Sequence, residues 1–494
     1  MTRIVVDPAR PLGSVDRNVF GGFVEHLGRC IYGGLYEEGS PLADARGFRG
    51  DVLDLLRELR MGVLRWPGGN FVSNYHWADG IGPKDSRPRR PELAWGGEES
   101  NRFGTDEFLE YCAELGTQPY ICLNMGTGSL EEALAWVEYC NGASDTAWAR
   151  RRRENGRDAP YRVRYWGLGN EMYGDWQVGA VSAEEYVRTA TRWARAIKML
   201  DPNAQLVSCG MNGWNDWDRV VIDGMAPLVD LHSLHIYTGS DDYWTNVLQP
   251  HQAERAITCA RALIERVAYV KKIAQPPRLA YDEWNVWFRT DDGTLEERYN
   301  FSDALAVATY LNIFIRNCGW VRMANLAQMV NAIAPIVTTP DGVATQPIYY
   351  PVLLHAQAAL DLAADVYVTG ATVSPIGTDH HSRWPHRVAD LGPFTVVDAA
   401  ATTSTDRSRL ALTLVNRSPD EPETAEIVLR DLVFDSVAEV RTVTAERGRD
   451  VRVLPEVEGA CLAEGSETPK GATLTLTLPP QSFTVIEVAT ASQQ

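Results

Sequence analysis

The chain has 494 residues, is 45% hydrophobic and 23% charged, and carries a formal net charge of −18. That length suits an eight-stranded β/α barrel with one smaller companion domain, and the apolar share excludes a disordered chain. The negative charge argues against nucleic acid as a partner, and no segment approaches the about 20 apolar residues that a membrane helix needs.

The first strand-like piece, 3–6, is expected to pair with a second domain. Apolar runs of strand length then recur at 19–25, 63–66, 119–124, 164–169, 205–210, 229–236, 278–283 and 324–329. Amphipathic spacing predicts helices at 52–59, 105–115, 130–140, 183–200, 253–273, 302–317 and 351–362, with a short one between 210 and 229. Strand and helix alternating in this way imply an α/β fold, a parallel sheet closed into a (β/α)8 TIM barrel. The arginine run 150–153 is expected at a solvated helix end.

Beyond about residue 365 the helical period stops. Short alternating runs at 410–415, 426–429, 437–443, 472–478 and 483–488 predict an all-β sandwich, jelly-roll-like. The expected division is a strand at 1–15, a barrel at 16–365 and a sandwich at 366–494, with the sandwich a structural partner because its runs show no clustered aromatics. The N-terminus MTRIVVDPAR lacks an apolar core of signal-peptide length, so a cytoplasmic protein is expected. Eight cysteines without a C-x-x-C pair read as buried free thiols.

In such a barrel the site lies where the strands end. The strand ends here are polar: Glu25 and His26, then Arg65 followed by WPGGN up to Asn70, then Asn124, Asn170 and Glu171, His235 and Tyr237, Asp282 and Glu283, and finally Asn325 and Gln328. Any one of them could be a cap or a salt-bridged residue. Together they point to a ligand site, because buried charge is costly unless paired or working. No phosphate loop is present, and Gly167 and Gly169 do not continue to a dinucleotide fingerprint. His232 and His235 have poor ligand spacing and His380, His381 and His386 fall in an expected loop, so neither a metal nor a cofactor is expected. Amides, carboxylates and tryptophans suit a sugar. Glu171 and Glu283 are the pair that glycosidic hydrolysis requires, one acid and one carboxylate.

Several motifs resemble glycoside hydrolase family 51, the intracellular α-L-arabinofuranosidases of clan A: GGFVEHLGRCIYGG (21–34), LRWPGGNFVSNYHWADGIGP (64–83), YWGLGNEM (165–172), HIY (235–237), YDEWNVW (281–287) and MANLAQMVNAIAPI (323–336). The resemblance implies a retaining exo-glycosidase acting on arabinofuranosyl-containing oligosaccharides, with Glu171 as acid/base and Glu283 as nucleophile. It implies Asn170 at the sugar 2-OH, Tyr237 against the nucleophile, Glu25, Asn70 and Gln328 on the hydroxyls, Trp95 as an aromatic wall, and Arg65 and His235 in support. It also implies a homo-oligomer, a hexamer in many members. Arg65 is expected to keep Glu283 ionised and leave the proton on Glu171. Tyr173, Asp175 and the Asn74-Tyr75-His76 run depart from the family pattern, which leaves aglycone preference open. The alternatives are another clan A glycosidase (an exo-galactofuranosidase, a β-xylosidase, an endo-glucanase or a xylanase) and a non-catalytic sugar-binding protein.

Overall fold

A computed structural model describes residues 1–290, 295–374, 388–445 and 460–492. His380, His381 and His386 lie outside the described residues. Eight parallel strands close the barrel: Gly21–Phe23, Val63–Trp66, Gln118–Leu123, Tyr165–Leu168, Gln205–Ser208, Leu231–Thr238, Arg278–Val286 and Val321–Ala327, here strands one to eight. Strands two and four are buried at every residue, as a parallel sheet covered by helices requires.

Inside the barrel Val63, Tyr120, Tyr165, Val207, Leu231, Ala280 and Met323 form an apolar plug. Side chains two residues further along a strand face the same interior. Arg65, Cys122, Asp282 and Asn325 therefore stack on the plug, toward the end where the strands finish. The plug closes the barrel below, and the polar layer above it is open to the loops.

Strand one is shorter than the apolar run 19–25 suggested. Its first half is a 3-10 turn, Arg17–Phe20, capped by Asp16, whose side chain accepts from the Asn18 amide. Two glycines then let the strand approach its neighbours. A β-carbon on Gly21 would stand 2.7 Å from Val63 and one on Gly22 2.7 Å from Met329.

The helix expected at 351–362 ends at Ala358, and Leu362 opens a strand instead. Two helices escaped the sequence reading, Ala147–Glu154 and Tyr243–Leu248. The first carries the arginine run, and Arg152 is not solvated. It is fully buried, and its guanidinium donates to the carbonyls of Tyr139, Gly142, Arg157 and Asp158. Arg150, Arg151 and Arg153 do lie at the surface, paired with Asp145 and Glu154.

The second domain is one curled sheet around a core that includes Ile4, Val6, Leu412, Leu414, Ile427 and Leu476. The N-terminal strand Thr2–Ser14 lies within it, antiparallel to Leu362–Thr369 and parallel to Glu423–Leu429. Helix Phe301–Arg316 is buried at every residue from Phe301 to Ile315. Its apolar side chains join both the barrel core and the cluster that includes Val415, Phe483 and Val485 of the second domain, which explains why it is hydrophobic all round. No helix among the described residues is long and apolar enough to cross a membrane.

Candidate active site

Strand four ends in Gly169-Asn170-Glu171. Gly169 and Glu171 both take left-handed backbone, with φ of 79° and 43°. For a glutamate that conformation is strained, and it turns the chain out of the strand so that the carboxylate faces the barrel mouth. Strand seven delivers Asp282 and Glu283. A register irregularity between Ala280 and Glu283 breaks the alternation, so consecutive residues both reach the site.

A cavity of about 420 Å³ opens at this end of the barrel, a size ordinary for a small-molecule site. Among its lining residues are Glu25, Asn70, Trp95, Glu171, His235, Tyr237, Glu283 and Gln328. Arg65 and Asn170, also singled out from the sequence, are buried directly behind these groups. Sequence reasoning missed Met211, Asn212, Trp287, Leu295 and Ile333 in the lining; of these, Trp287 alone carried a usable signal, as the second tryptophan after Glu283. A larger cleft of about 880 Å³ lies at the opposite end of the barrel. Lys198 pairs with Asp230 there at 2.9 Å, and Asn141 donates to Asp201 at 2.7 Å.

Glu283 is gripped on both oxygens. Arg65 Nη1 donates to Oε1 at 2.8 Å and the Tyr237 hydroxyl to Oε2 at 2.9 Å. Arg65 also donates to the Asp282 carbonyl at 3.0 Å and to Asn170 Oδ1 at 2.6 Å. That bond fixes the Asn170 amide with Nδ2 pointing away, and this buried donor has no hydrogen-bond partner. Gly69 lies alongside: a β-carbon there would stand 3.1 Å from Glu283 Oε1, 3.3 Å from Glu25 Oε2 and 3.4 Å from Asn170 Nδ2. Only glycine keeps that space open.

Glu171 accepts from Tyr173 at 3.1 Å, from Trp176 Nε1 at 2.9 Å and from His235 Nδ1 at 2.9 Å. His235 Nδ1 is also 3.5 Å from Glu283, and its Nε2 is 3.2 Å from Asp282. Burial works against the imidazolium, but Glu283, Asp282 and Glu171 outweigh it and raise the imidazole to about 10. Burial raises Asp282, but Arg65, His235 and the Tyr120 hydroxyl at 2.8 Å bring it down to about 2. Burial lifts Glu25 to about 7, despite donors from the Phe71 amide, Trp95 and Gln328.

The order within the central pair is the reverse of that expected from Arg65 alone. Burial raises Glu283, and the charges of Glu171 and Asp282 add to it, against His235 and Arg65. Burial also acts on Glu171, but the His235 hydrogen bond and charge overcome it and hold that carboxylate low. The His235 cation is nearer Glu171 than Glu283, and Trp176 and Tyr173 also donate to Glu171. Glu171, His235 and Glu283 present ligand atoms within 4.8 Å of one another, but the hydrogen bonds given above already engage all three.

Two family models match the chain, the α-L-arabinofuranosidase 1 domain over residues 55–255 and the α-L-arabinofuranosidase C-terminal domain over 282–482. Similarity to α-L-arabinofuranosidase C of Emericella nidulans is 46% identity over 422 residues, 82% of each chain. The chain belongs to glycoside hydrolase family 51. This family 51 chain is also 37% identical over 457 residues to the intracellular exo-α-(1→5)-L-arabinofuranosidase 1 of Bacillus subtilis, covering 88% of the chain and 89% of the relative. The crystal structure of the Thermotoga maritima α-L-arabinofuranosidase in its arabinose complex superposes with a TM-score of 0.89 at 40% identity, covering 99% of this chain and 100% of that one. The protein is therefore a glycoside hydrolase, an α-L-arabinofuranosidase on a TIM barrel.

Proposed function

We propose that this family 51 enzyme is an exo-acting, retaining glycosidase that removes terminal α-L-arabinofuranosyl residues from arabinoxylan- and arabinan-derived oligosaccharides. The observation that carries the proposal is that Glu171 and Glu283 face one cavity with one carboxylate oxygen of each within 4.8 Å of the other. Retaining enzymes hold the pair about 5 to 5.5 Å apart and inverting ones about 6.5 to 9.5 Å, to leave room for water.

Glu283 attacks the anomeric carbon and the glycosidic oxygen leaves with a proton from Glu171. His235 supplies that proton. Forming the ester bond removes the Glu283 charge that helps hold the imidazolium, so the proton passes along the 2.9 Å hydrogen bond to Glu171 as the leaving oxygen gains charge. In the second step Glu171 takes a proton from water, the hydroxide adds to the anomeric carbon, Glu283 is released as a carboxylate, and the proton returns from Glu171 to His235 along their hydrogen bond. The unpartnered Asn170 Nδ2 is the donor for the sugar 2-OH. Glu25, Asn70 and Gln328 take the remaining hydroxyls, and Trp95 walls the ring. Gly69 leaves the room the furanose needs.

The catalytic unit is taken as residues 16–365. A cytoplasmic location and a homo-oligomer, a hexamer as in many members, complete the proposal; the "intracellular" and "exo" in the name of the Bacillus subtilis relative support the location and the mode of action.

Glu171→Ala tests the assignment. The variant should hydrolyse activated aryl arabinofuranosides, slow sharply on natural leaving groups, and regain turnover with azide as an arabinofuranosyl azide of retained configuration. An inverted azide, or no distinction between leaving groups, would remove Glu171 from the role.

A further inference from the structure

Trp95 stands at the tip of a short β-hairpin in which Arg90–Pro91 pairs antiparallel with Glu98–Glu99. The tip closes through the Glu92 amide on the Gly97 carbonyl, with Gly96 and Gly97 both at positive φ. The hairpin has almost no core of its own: Glu99 is the only buried residue between 82 and 100. Its surface pairs, Arg90–Asp79 and Arg89–Glu98, involve arginines more than half exposed and fix little.

Two consecutive residues from the end of strand one pin it. Glu25 accepts the Trp95 indole N–H at 3.0 Å. His26 reaches the other way, with Nδ1 2.8 Å from Glu99 Oε2, while the Tyr32 hydroxyl and the Asn101 amide donate to Glu99 Oε1. The imidazole is itself fixed. The Trp66 indole N–H, which can only donate, lies 3.1 Å from His26 Nε2, so Nε2 accepts and Nδ1 carries the proton that goes to Glu99. Phe71 stacks on the ring with centroids 4.5 Å apart.

We infer that the His26–Glu99 pair is a positioning device for the sugar site: it anchors the second strand of the hairpin and so sets Trp95 against Glu25. This rests on the reading of Trp95 as a wall of the arabinofuranosyl pocket. Neither His26 nor Glu99 lines the cavity, so their effect reaches substrate through the residues they hold, and for Glu99 that residue is Trp95. A carboxylate is required at 99 because both of its oxygens face donors. An amide offers one acceptor oxygen, and whichever way it turns its NH2 opposes His26 Nδ1–H or the Asn101 amide.

A double-mutant cycle of Glu99→Gln and Trp95→Phe, read as KM and kcat on nitrophenyl α-L-arabinofuranoside, tests the inference. Each single variant should raise KM about tenfold with kcat within about twofold, the pattern of lost uniform binding. Adding Glu99→Gln to Trp95→Phe should cost less than about twofold more, because the hairpin then has no indole left to place. Tyr32→Phe, which removes one donor and leaves the carboxylate, should raise KM in the same direction by less. It keeps the test open if Glu99→Gln does not fold. A rise in KM for Trp95→Phe with none for Glu99→Gln or Tyr32→Phe would overturn the positioning role and leave the wall standing. No change for Trp95→Phe would overturn both, and additive effects would show that Glu99 acts by another route.

Discussion

His235 and His251 are both buried with both ring nitrogens occupied, yet their surroundings drive them in opposite directions. His235, at the catalytic rim, has a carboxylate at each nitrogen, Glu171 and Asp282, and is raised to about 10. His251, where the barrel meets the second domain, has Glu254 at 3.0 Å from Nδ1 and the Arg417 guanidinium at 2.9 Å from Nε2. Burial lowers it, with the Arg417 charge adding, against Glu254. The first is a cation among acids, the second a neutral ring between an acid and a base.

The two networks differ in the same sense throughout. The rim sets four carboxyl groups, Glu25, Glu171, Asp282 and Glu283, against Arg65 and His235. The interface sets Glu254 and Asp398 against Arg316 and Arg417, with Arg316 3.0 Å from Asp398 and 3.2 Å from Glu254. Excess acid forces some groups to hold protons near neutrality, which is useful for proton transfer and poor for stability. Matched charge does the reverse, so one region is built to react and the other to join two domains.

The sharpest way to separate them is to remove one carboxylate charge from each. Glu283→Gln should lose at least about 10⁴-fold in kcat on every arabinofuranoside, since it deletes the nucleophile, while its melting temperature stays at or above that of the wild type. Residual turnover above that level after purification would sink the nucleophile assignment. Asp398→Asn should do the opposite. It leaves Arg316 with Glu254 alone and takes from buried Arg417 the acid that chiefly offsets its burial, and should cost about 3 kcal/mol in unfolding free energy, with kcat within about twofold. A drop in kcat without a loss of stability would show that the interface network reaches the site.

How far each region was legible in the sequence follows from the same contrast. Glu171 and Glu283 stood out because an apolar strand leads straight into a carboxylate, a pattern that is costly unless the residue works. The barrel and a second, mostly-β domain were legible because the apolar period changes near residue 365. The interface was not: Arg316 and Asp398, or His251 and Arg417, are far apart in sequence, and each alone looks like an ordinary surface charge. Nor was the joint arrival of Asp282 and Glu283 legible, since strict alternation from Ala280 turns Asp282 inward, toward the Tyr120 hydroxyl, and Glu283 outward, and only the irregularity in strand seven brings both in. The Arg152 side chain failed as a reading for a related reason, because four backbone carbonyls replace the acid that a buried arginine usually needs.

The smallest effect is a difference in sign. Glu25 is 2% exposed and raised from 4.5 to about 7 by burial. The folded state therefore binds a proton that the unfolded state releases between those values. Its contribution to stability is complete below about pH 4.5 and is lost as pH rises through about 7, a swing of about 3 kcal/mol at 1.36 kcal/mol per unit. Glu25→Gln is neutral throughout, so the melting temperature of the variant minus that of the wild type should climb from pH 5 to pH 8. Glu254 runs the other way. Burial opposes it, but His251 and Arg316 lower it to about 2, so its contribution is present above about pH 4.5 and lost as pH falls through about 2. The corresponding difference for Glu254→Gln should be negative and flat from pH 5 to pH 8, and should shrink only below about pH 4. Parallel melts of the two variants across that range decide the matter: a flat line for Glu25→Gln would mean that its carboxylate is ionised in the folded rim, and the excess-acid account of the site would fall with it.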